Sequence, residues 1–477
     1  MRKTVSNKTN GIEIIDAKKV DDVVSLLCDL IQPDLGVTLD LNGIEDRMHS
    51  IFKTLKQKTA QYIFEEQDPL EQTCSHCGKP MKIKERLGRK VKGLVDYTLH
   101  RRSFYCEACG TYERPLDALI GCAAGYTHQA EKAVLLLGQR LPFKEAETFL
   151  KELKGISVSH ETIQEMTEAV GRNIASEEAQ RVEAVIDSTT HQLKTNLPPQ
   201  EKTLIQDTAY LMMDGSMVPT RDKGWKEVRV AVLFRENDRA KTDKHHTQLL
   251  RKKYFGTFNS DEDALQAFKD RATQEAYDFG FRWYERHVII GDGAPYIWDY
   301  ATNVHPTAIQ ILDYYHAGEY IAKAVKSLAI ADKSLHVRLL KRMNCKLRAG
   351  HIERIIAWLE KQIQTKEVQD CIRYYGKNKD RMRYRAYRRM GLCIGSGAIE
   401  SAHRTVIQTR MKLSGMHWGS ENVQSMVSLR ARVLSGQGDD IVSKFGRAAW
   451  TRPFLMHPIY IRIEQSRSCC CNGSTNW

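Results

Sequence analysis

Long hydrophobic runs are missing from this chain of 477 residues. No stretch reaches the roughly 18 apolar residues that a membrane-spanning helix requires, so we expect no membrane partner. The segment Met1–Asn10 is polar with no apolar run behind it, so we expect no signal peptide. Core-forming residues are not scarce, since the hydrophobic fraction is 42%. That fraction excludes an intrinsically disordered protein, and the length predicts about three domains.

Acidic residues are too few to balance the basic ones. Lys and Arg number 72 against 59 Asp and Glu, which gives a net charge of +13 and an isoelectric point near 9.1. A basic surplus favours a polyanionic partner, most simply nucleic acid.

The 12 cysteines are unevenly placed. Four form two C-x-x-C pairs, and three stand together as Cys469–Cys471. Without an export signal, this distribution favours a reducing cytosol and metal binding over disulfides. We therefore expect a cytoplasmic protein.

Two cysteine pairs have the spacing of a zinc ribbon. Cys74 and Cys77 are separated from Cys106 and Cys109 by 28 residues that include strand-like alternating stretches. Four thiolates provide the tetrahedral soft site that Zn²⁺ prefers, so we predict a structural zinc within residues 71–125. The alternatives are four unrelated cysteines, a thioredoxin-like redox pair, or His76 as a ligand. The basic residues around the ribbon either contact DNA phosphates or form a solvated face.

Helical periodicity precedes the ribbon. Residues 1–70 are predicted to form a helical N-terminal region that stops at Asp68-Pro69. Further along, residues 187–204 are polar and contain Pro198-Pro199, so we interpret them as a linker.

Residues 126–186 predict two helices joined by a short turn. The first helix, Phe143–Leu153, breaks at Gly155, and Ser159 caps a second helix, His160–Val170. This pattern fits a DNA-binding helix-turn-helix or a plain αα-hairpin. If the motif binds DNA, the groove contacts are expected at the start of the second helix, from His160, Thr162 and Gln164.

The middle of the chain predicts a mixed sheet over residues 205–316. The apolar run Tyr210–Met213 leads into Asp214, and His287–Gly291 leads in the same way into Asp292. The order strand, strand, strand, helix, strand, helix, strand is that of a ribonuclease H-like α/β core. Since the first and fourth strands of such a sheet are neighbours, we expect Asp214 and Asp292 to meet at the strand ends.

A third carboxylate is required if this site binds two Mg²⁺ ions. Mg²⁺ prefers oxygen ligands, and two ions about 3.5–4 Å apart need a bridging carboxylate with others on each side. The candidate is Glu400, at the start of a helix capped by Ser396 in the final core segment, residues 391–440. The 107 residues between Asp292 and Glu400 are too many for a loop, and their periodicity predicts an all-helical insertion over 317–390.

Five short motifs lie in this part of the chain: Asp214-Gly-Ser216, Gly291–Ala294 with Trp298, Leu312–His316, Gly395–Glu400 and Ser414–Trp418. In combination they resemble the signatures of bacterial insertion-sequence transposases, and more closely the ISKra group of the Asp-Asp-Glu superfamily. The resemblance covers roughly residues 125–440. It implies a ribonuclease H-like core, dependence on two Mg²⁺ (or Mn²⁺) ions, and DNA strand transfer.

The resemblance also implies roles for individual residues. Asp214, Asp292 and Glu400 match the catalytic, metal-binding triad. Asp313 and His316 match an Asp/Cys-x-x-His motif of related transposases, which positions the insertion or assists at the active site. Two alternatives remain open: Asp313 is a metal ligand, or His316 is a structural histidine.

A basic segment precedes Glu400 and is interleaved with Tyr384 and Tyr387. We expect it to contact DNA backbone through Lys377, Lys379, Arg381, Arg383, Arg385, Arg388 and Arg389. Arg404, Arg410, Lys412 and Trp418 are expected to extend this surface, with Trp418 either stacking on an unpaired base or packing in the core.

These observations predict a DNA transposase that binds double-stranded element ends and target DNA. A homo-oligomer is expected in the synaptic complex, with the protein associated with the bacterial nucleoid. Two other functions remain open: a structure-directed DNA nuclease on the same core, and a non-catalytic zinc-ribbon DNA-binding protein. The tail 441–477 gives no interpretable pattern.

Overall fold

The computed structural model describes residues 40–122, 125–197, 203–242, 247–258, 263–328, 332–438 and 441. Expectations for residues 1–39, for Pro198-Pro199 and for the tail 442–477 lie outside these ranges. Within them, helices accompany a five-stranded sheet, a three-stranded sheet and a two-stranded hairpin, which confirms a mixed α/β protein. No helix in the same ranges is both long and apolar enough to cross a membrane.

A long helix opens the described chain. Helix α1 (Leu41–Gln67) begins where the Asp40 carboxylate accepts a hydrogen bond from the Gly43 backbone at 2.8 Å. It ends at Asp68, as the Asp68-Pro69 pair predicts. Asp68 is buried and accepts hydrogen bonds from the backbone and guanidinium of Arg102, which fixes the helix end to the next segment.

The ribbon segment contains the predicted strands. Strand β1 (Lys82–Val91) pairs antiparallel with β2 (Tyr97–Cys106), and β2 pairs antiparallel with β3 (Thr111–Glu113). A short helix, α2 (Leu116–Ile120), follows. The buried cluster beside the cysteine pairs is small and consists of Cys74, Met81, Phe104 and Cys106.

Three helices follow the ribbon: α3 (His128–Gly138), α4 (Phe143–Lys154) and α5 (His160–Val185). Gly155 ends α4 with a φ of 65°, a conformation that glycine adopts without strain. Ser159 caps α5 by accepting from the Thr162 backbone, as predicted. The predicted end of this helix at Val170 is wrong, since α5 continues to Val185.

The central segment contains seven strands and two helices: β4 (Ile205–Thr220), β5 (Gly224–Arg235), β6 (Arg239–Lys241), β7 (Thr247–Leu249), β8 (Lys253–Phe258), α6 (Ala264–Asp278), β9 (Tyr284–Gly291), α7 (Pro295–Val304) and β10 (Ile309–Leu312). Strands β6 and β7 form a separate hairpin. The other five form one sheet in the order β10–β9–β4–β5–β8. Strand β5 is antiparallel to both neighbours, whereas β4, β9 and β10 are mutually parallel.

Strand β4 extends beyond Asp214. The expectation that Asp214 ends this strand is wrong, because pairing with β5 continues from Asp214 to Thr220. The parallel pairing with β9, however, has its last partners at Met212 and Ile290. Asp214 therefore lies where β4 loses one neighbour and keeps the other, which leaves its side chain half-exposed.

The segment predicted as an insertion is helical. It contains α8 (Tyr314–Ser327), α9 (Lys333–Arg348), α10 (Ile352–Leu359), α11 (Lys366–Asn378) and α12 (Tyr384–Arg389). Apolar residues of these helices, among them Ile321, Leu347 and Ile355, belong to the same buried cluster as the central sheet. The helices are therefore packed into the core rather than appended to it.

The last described segment alternates α- and π-helical turns. Helix α13 (Gly397–Ala402) leads directly into a π-helical turn, His403–Gln408, and then into α14 (Thr409–Met411). Helix α15 (Ser420–Arg432) follows.

Helix α15 packs against α5. Val170 and Ile174 of α5 share a buried cluster with Leu429 of α15, which explains why α5 is longer than predicted. At the crossing, a Cβ atom on Gly171 would collide with the backbone carbonyl of Ser425. The two helices therefore approach at a distance that only glycine permits.

Candidate catalytic cleft and zinc site

The four cysteines of the ribbon converge. Their Sγ atoms all lie within 4.8 Å of one another, with 4.0 Å between Cys74 and Cys109 and 3.6 Å between Cys77 and Cys106. A tetrahedral zinc with Zn–S bonds near 2.3 Å needs sulfur atoms about 3.8 Å apart, so the set fits Zn²⁺. Among the described residues, no histidine belongs to this group, and His76 is exposed.

The thiols of this cluster differ in acidity. Burial raises the pKa of Cys74, but backbone hydrogen bonds from His76 and Cys77 outweigh it and bring the pKa to about 6. The hydrogen bond with Cys77, together with burial, raises the pKa of Cys109 to about 12. Four adjacent thiols cannot all ionise unless a cation compensates them, as a bound metal does.

Asp214 and Asp292 are brought together by the parallel pairing of β4 and β9. The pairing ends where Met212 is opposite Ile290, so Asp214 and Asp292 each lie two residues beyond its last pair. Burial raises the pKa of Asp292, and the negative charge of Asp214 adds to that effect. Strands β4 and β9 are therefore neighbours, as the sequence predicts, while a shared site of the two aspartates remains a prediction.

The Asp292 loop is held by the helical insertion. Its carboxylate Oδ1 accepts a hydrogen bond from the Ala294 backbone at 3.0 Å, and its carbonyl accepts one from the Tyr374 hydroxyl. Gly293 has a φ of 103°, and a Cβ atom there would collide with the Tyr374 ring. Tyr374 on α11 therefore fixes the backbone that carries Asp292.

Glu400 lies in the same cleft as Asp214. The cleft has a volume of about 610 Å³, and Ser216, His403, Arg404 and Gln408 also line it. Glu400 is exposed, and its Oε1 accepts a hydrogen bond from the Ser396 hydroxyl at 3.0 Å. Asp292 is not among the residues that line this cleft.

The three acids do not form a closed metal cage in this structure. Within the described ranges, only the four ribbon cysteines form a group of three or more ligand residues with mutually close donor atoms. Asp214 thus shares a cleft with Glu400 and acts electrostatically on Asp292, but the three carboxylates do not form one close group.

His403 is a site residue that the sequence interpretation missed. Its Nε2 lies 3.2 Å from Asp214 Oδ2, and the residue is only 5% exposed. It follows Glu400 by three positions, so both residues project from the same side of one helix. That spacing was visible in the sequence, but a lone histidine gave no reason to pair it with Asp214.

Asp313 is a buried cap. It is 3% exposed, and its carboxylate accepts hydrogen bonds from the backbones of Tyr315, His316 and Ser396 at 3.2, 2.9 and 3.0 Å. Ser396 in turn donates to Glu400. Asp313 therefore ties the start of α8 to the turn that orients Glu400, which favours the positioning role over that of a metal ligand.

His316 packs among tyrosines. Its ring makes edge-to-face contacts with Tyr320 and Tyr374 at centroid distances of 5.5 and 6.0 Å. Its charge acts on Asp292, whose pKa it lowers against the larger effect of burial. His316 therefore packs beside the Asp292 loop, and the accessory and structural roles both remain open.

Most of the basic segment is exposed. The exposed cations are Lys377, Lys379, Arg383, Arg385, Arg388 and Arg389. Arg381 instead lies over the Trp298 ring at 4.6 Å and donates to Gln310. Tyr384 and Tyr387 are buried core residues, so they cannot stack on bases in this structure.

Arg410 and Trp418 are also buried, at 1% and 6% exposure, which corrects the expectation that they contact DNA. Arg410 donates to the Gly138 carbonyl and lies between the rings of Phe143 and Trp418, at 4.6 and 4.9 Å. Burial lowers the pKa of Arg410 to about 10. Trp418 therefore packs in the core, which is one of the two alternatives that its sequence position leaves open.

Two further cations flank the cleft. Arg404 is exposed and lines it, while Lys412 is half-buried and donates to the Ser216 hydroxyl at 3.2 Å. Contact of these two residues with DNA remains a prediction.

The expected groove contacts on α5 have acidic neighbours. His160 contacts the carboxylates of Glu147 and Glu161 at 3.0 and 2.9 Å, and Gln164 donates to Glu168. Thr162 provides a backbone N–H to the Ser159 cap. DNA binding by these three residues remains a prediction, and their surroundings do not supply the positive charge that favours it.

No protein-family model matches the chain. The chain is similar to the "UPF0236 protein in vanSb 3'region" of Streptococcus gallolyticus, with 25% identity over 331 residues. The similarity covers 68% of this chain and 67% of that protein. It is distant but spans most of both chains, and the name of the relative states no activity.

Proposed function

We propose that this protein is a DNA transposase that cuts the ends of an insertion sequence and joins them to target DNA. The observation that carries the proposal is the arrangement of acids: Asp214 lies on β4, Asp292 directly follows the neighbouring parallel strand β9, and Glu400 lies in the cleft of Asp214. The sheet order β10–β9–β4–β5–β8, in which β5 runs opposite to the other four strands, supports a ribonuclease H-like core.

Carboxylates are the oxygen ligands that Mg²⁺ and Mn²⁺ prefer. In the proposal, Asp214, Asp292 and Glu400 would hold two such ions, and the ions would supply activation of a water or a 3′-hydroxyl and stabilisation of the leaving oxygen. Asp313 orients Glu400 through Ser396, and Tyr374 secures the Asp292 loop. Glu400 is exposed, so in the proposal its side chain would exchange the Ser396 hydrogen bond for a cation shared with Asp214.

The exposed cations from Lys377 to Arg389 and Arg404 provide the surface for DNA backbone. In this proposal the zinc ribbon and the α4–α5 pair recognise the element ends. A homo-oligomer holds two ends together, because synapsis requires both ends in one complex.

The proposal is tested with labelled DNA that carries the ends of the insertion sequence around the gene, together with a target plasmid and Mg²⁺. We expect cleavage and joined products with the wild-type protein and neither with Asp214→Asn, while end binding is retained. Asp207→Asn is the matched control, since Asp207 lies on the same strand outside the cleft and accepts from the Thr208 backbone.

Other outcomes identify the alternatives. Cleavage without joining would establish a structure-directed nuclease. Binding without any metal-dependent cleavage would establish a non-catalytic DNA-binding protein, an alternative that the absence of a closed three-acid cage among the described residues keeps in view.

A further inference from the structure

A buried histidine without a hydrogen bond lies at the centre of the cleft. Neither ring nitrogen of His403 makes a hydrogen bond to the described residues, although Nε2 is 3.2 Å from Asp214 Oδ2. The ring nitrogen thus lies close to the carboxylate oxygen without being aligned with it. Burying a polar nitrogen in this state is unfavourable, so the position requires a physical reason.

The distance between the two atoms provides one. Two adjacent ligands in an octahedral shell with bonds near 2.1 Å lie about 3 Å apart. In that arrangement each donor atom is directed at the ion between them and not at the other donor. The Nε2–Oδ2 contact has such a distance, 3.2 Å, and its two atoms make no hydrogen bond to each other.

The helix places His403 beside the third acid. Glu400 and His403 are three residues apart, at the junction of α13 and the π-helical turn, and both line the cleft with Asp214. Carboxylate and imidazole at this spacing are used together for metal binding in helical di-metal proteins.

The π-helical turn is itself fixed from behind. Buried Arg430 donates to the carbonyls of Thr405 and Val406, the second of these at 2.6 Å from Nε. π-Helical turns often occur at functional sites, and this one determines the direction in which His403 projects.

We propose that His403 is a nitrogen ligand to the divalent cation bound at Asp214, which makes this position selective for a transition-metal ion such as Mn²⁺ over Mg²⁺. An imidazole is a poor ligand for Mg²⁺ and a good one for first-row transition metals. The inference rests on the proposed function only in that Asp214 binds a cation.

The test is electron paramagnetic resonance of Mn²⁺ added to the zinc-saturated full-length protein at pH 8. We expect ¹⁴N modulation of the bound Mn²⁺ signal in the wild-type protein and its loss in His403→Gln, which retains the side-chain volume. Mn²⁺ affinity should fall at least about tenfold in this variant, with Mg²⁺ affinity, measured by competition, changing less.

His417→Ala serves as the matched control, because His417 is exposed and its ring nitrogen contacts only the Gly415 carbonyl at 3.3 Å. Asp214→Asn identifies the signal that belongs to the cleft. Mn²⁺ binding that depends on Asp214 but lacks ¹⁴N modulation would overturn the role of His403 and leave the proposed function intact. Absence of any binding that depends on Asp214 would overturn both.

Discussion

At the scale of single residues, the cleft depends on side chains that support the acids rather than on the acids alone. Asp313 accepts three backbone hydrogen bonds while buried, and through Ser396 it reaches Glu400. Asp313 therefore caps the start of α8 and connects it to the turn that precedes Glu400.

Replacement of Asp313 by alanine should therefore reduce the free energy of unfolding by about 2–4 kcal/mol, because it removes a cap and leaves buried N–H groups without an acceptor. Urea denaturation measures the effect. Asp313→Asn retains one acceptor oxygen and should lose less stability. If both variants were as stable as the wild-type protein, the capping role would be refuted.

His305 predicts a specific acid sensitivity. Burial, with a smaller contribution from His287, lowers the pKa of His305 to about 4 from the ordinary 6.5. The unfolded chain takes up a proton near pH 6.5, whereas the folded protein does not until about pH 4. The stabilisation is therefore complete above pH 6.5 and is lost as the pH falls towards 4.

His305→Phe removes this titration and keeps a ring against Phe281, which lies 5.1 Å away. The loss of stability between pH 7.5 and pH 4.5 should be smaller in the variant by about 1–2 kcal/mol, discounted for partial exposure. Parallel urea titrations of both proteins measure the difference, and protonation of the cysteines cancels in the comparison. Equal losses in the two proteins would contradict the assignment.

At the scale of elements, the π-helical turn His403–Gln408 depends on Arg430. This guanidinium donates to carbonyls of the turn and to the Gln139 carbonyl beyond the end of α3. Burial lowers the pKa of Arg430 to about 9. The turn, α15 and the end of α3 therefore share one buried cation.

Arg430→Met should lower the free energy of unfolding by about 3 kcal/mol or more, because several buried carbonyls lose their donor. Hydrogen exchange within residues 403–408 should accelerate more than in the sheet. The control is Arg404→Met on the same turn, whose exposed side chain should contribute less than about 0.5 kcal/mol. Similar effects from both replacements would show that the hydrogen bonds of Arg430 do not stabilise the π-helical turn.

At the scale of the whole molecule, the ribbon and the central core are stabilised differently. The buried hydrophobic cluster that contains Cys74 and Cys106 has four members. By contrast, one large hydrophobic cluster joins the central sheet to helices α8–α12. A strong chelator should therefore increase hydrogen exchange throughout residues 74–113 and leave the protection of β4 and β9 unchanged. Cys77→Ala should reproduce this pattern without chelator, and uniform loss of protection would show that the two parts unfold together.

The basic surface predicts the salt dependence of DNA binding. Arg385 and Arg388 are exposed, and replacing both with alanine should reduce the slope of log affinity against log salt by about 2. Arg354→Ala on α10 is a control, since Arg354 is exposed but outside the basic segment. Fluorescence anisotropy at several salt concentrations measures the slopes, and equal slopes would place the DNA elsewhere.

Sequence patterns predicted features that depend on local order. The cysteine spacing predicted the four-cysteine cluster, apolar runs predicted the strands, and Ser159 predicted the start of α5. Patterns could not reveal tertiary burial: Arg410 was expected at the surface because arginine usually is, yet it lies between two rings. The length of β4 was missed because its pairing with β5 continues past the aspartate and glycine that usually mark a turn.

The contact between Gly171 and Ser425 has a consequence for synthesis on the ribosome. Gly171 of α5 is synthesised about 250 residues before Ser425 of α15, against which it packs. The apolar side of α5 therefore lacks this partner while the residues between the two helices are translated. A polypeptide truncated before α15 retains every proposed catalytic acid, yet it leaves Val170 and Ile174 uncovered. Nascent chains that stop early should therefore be bound by chaperones or degraded.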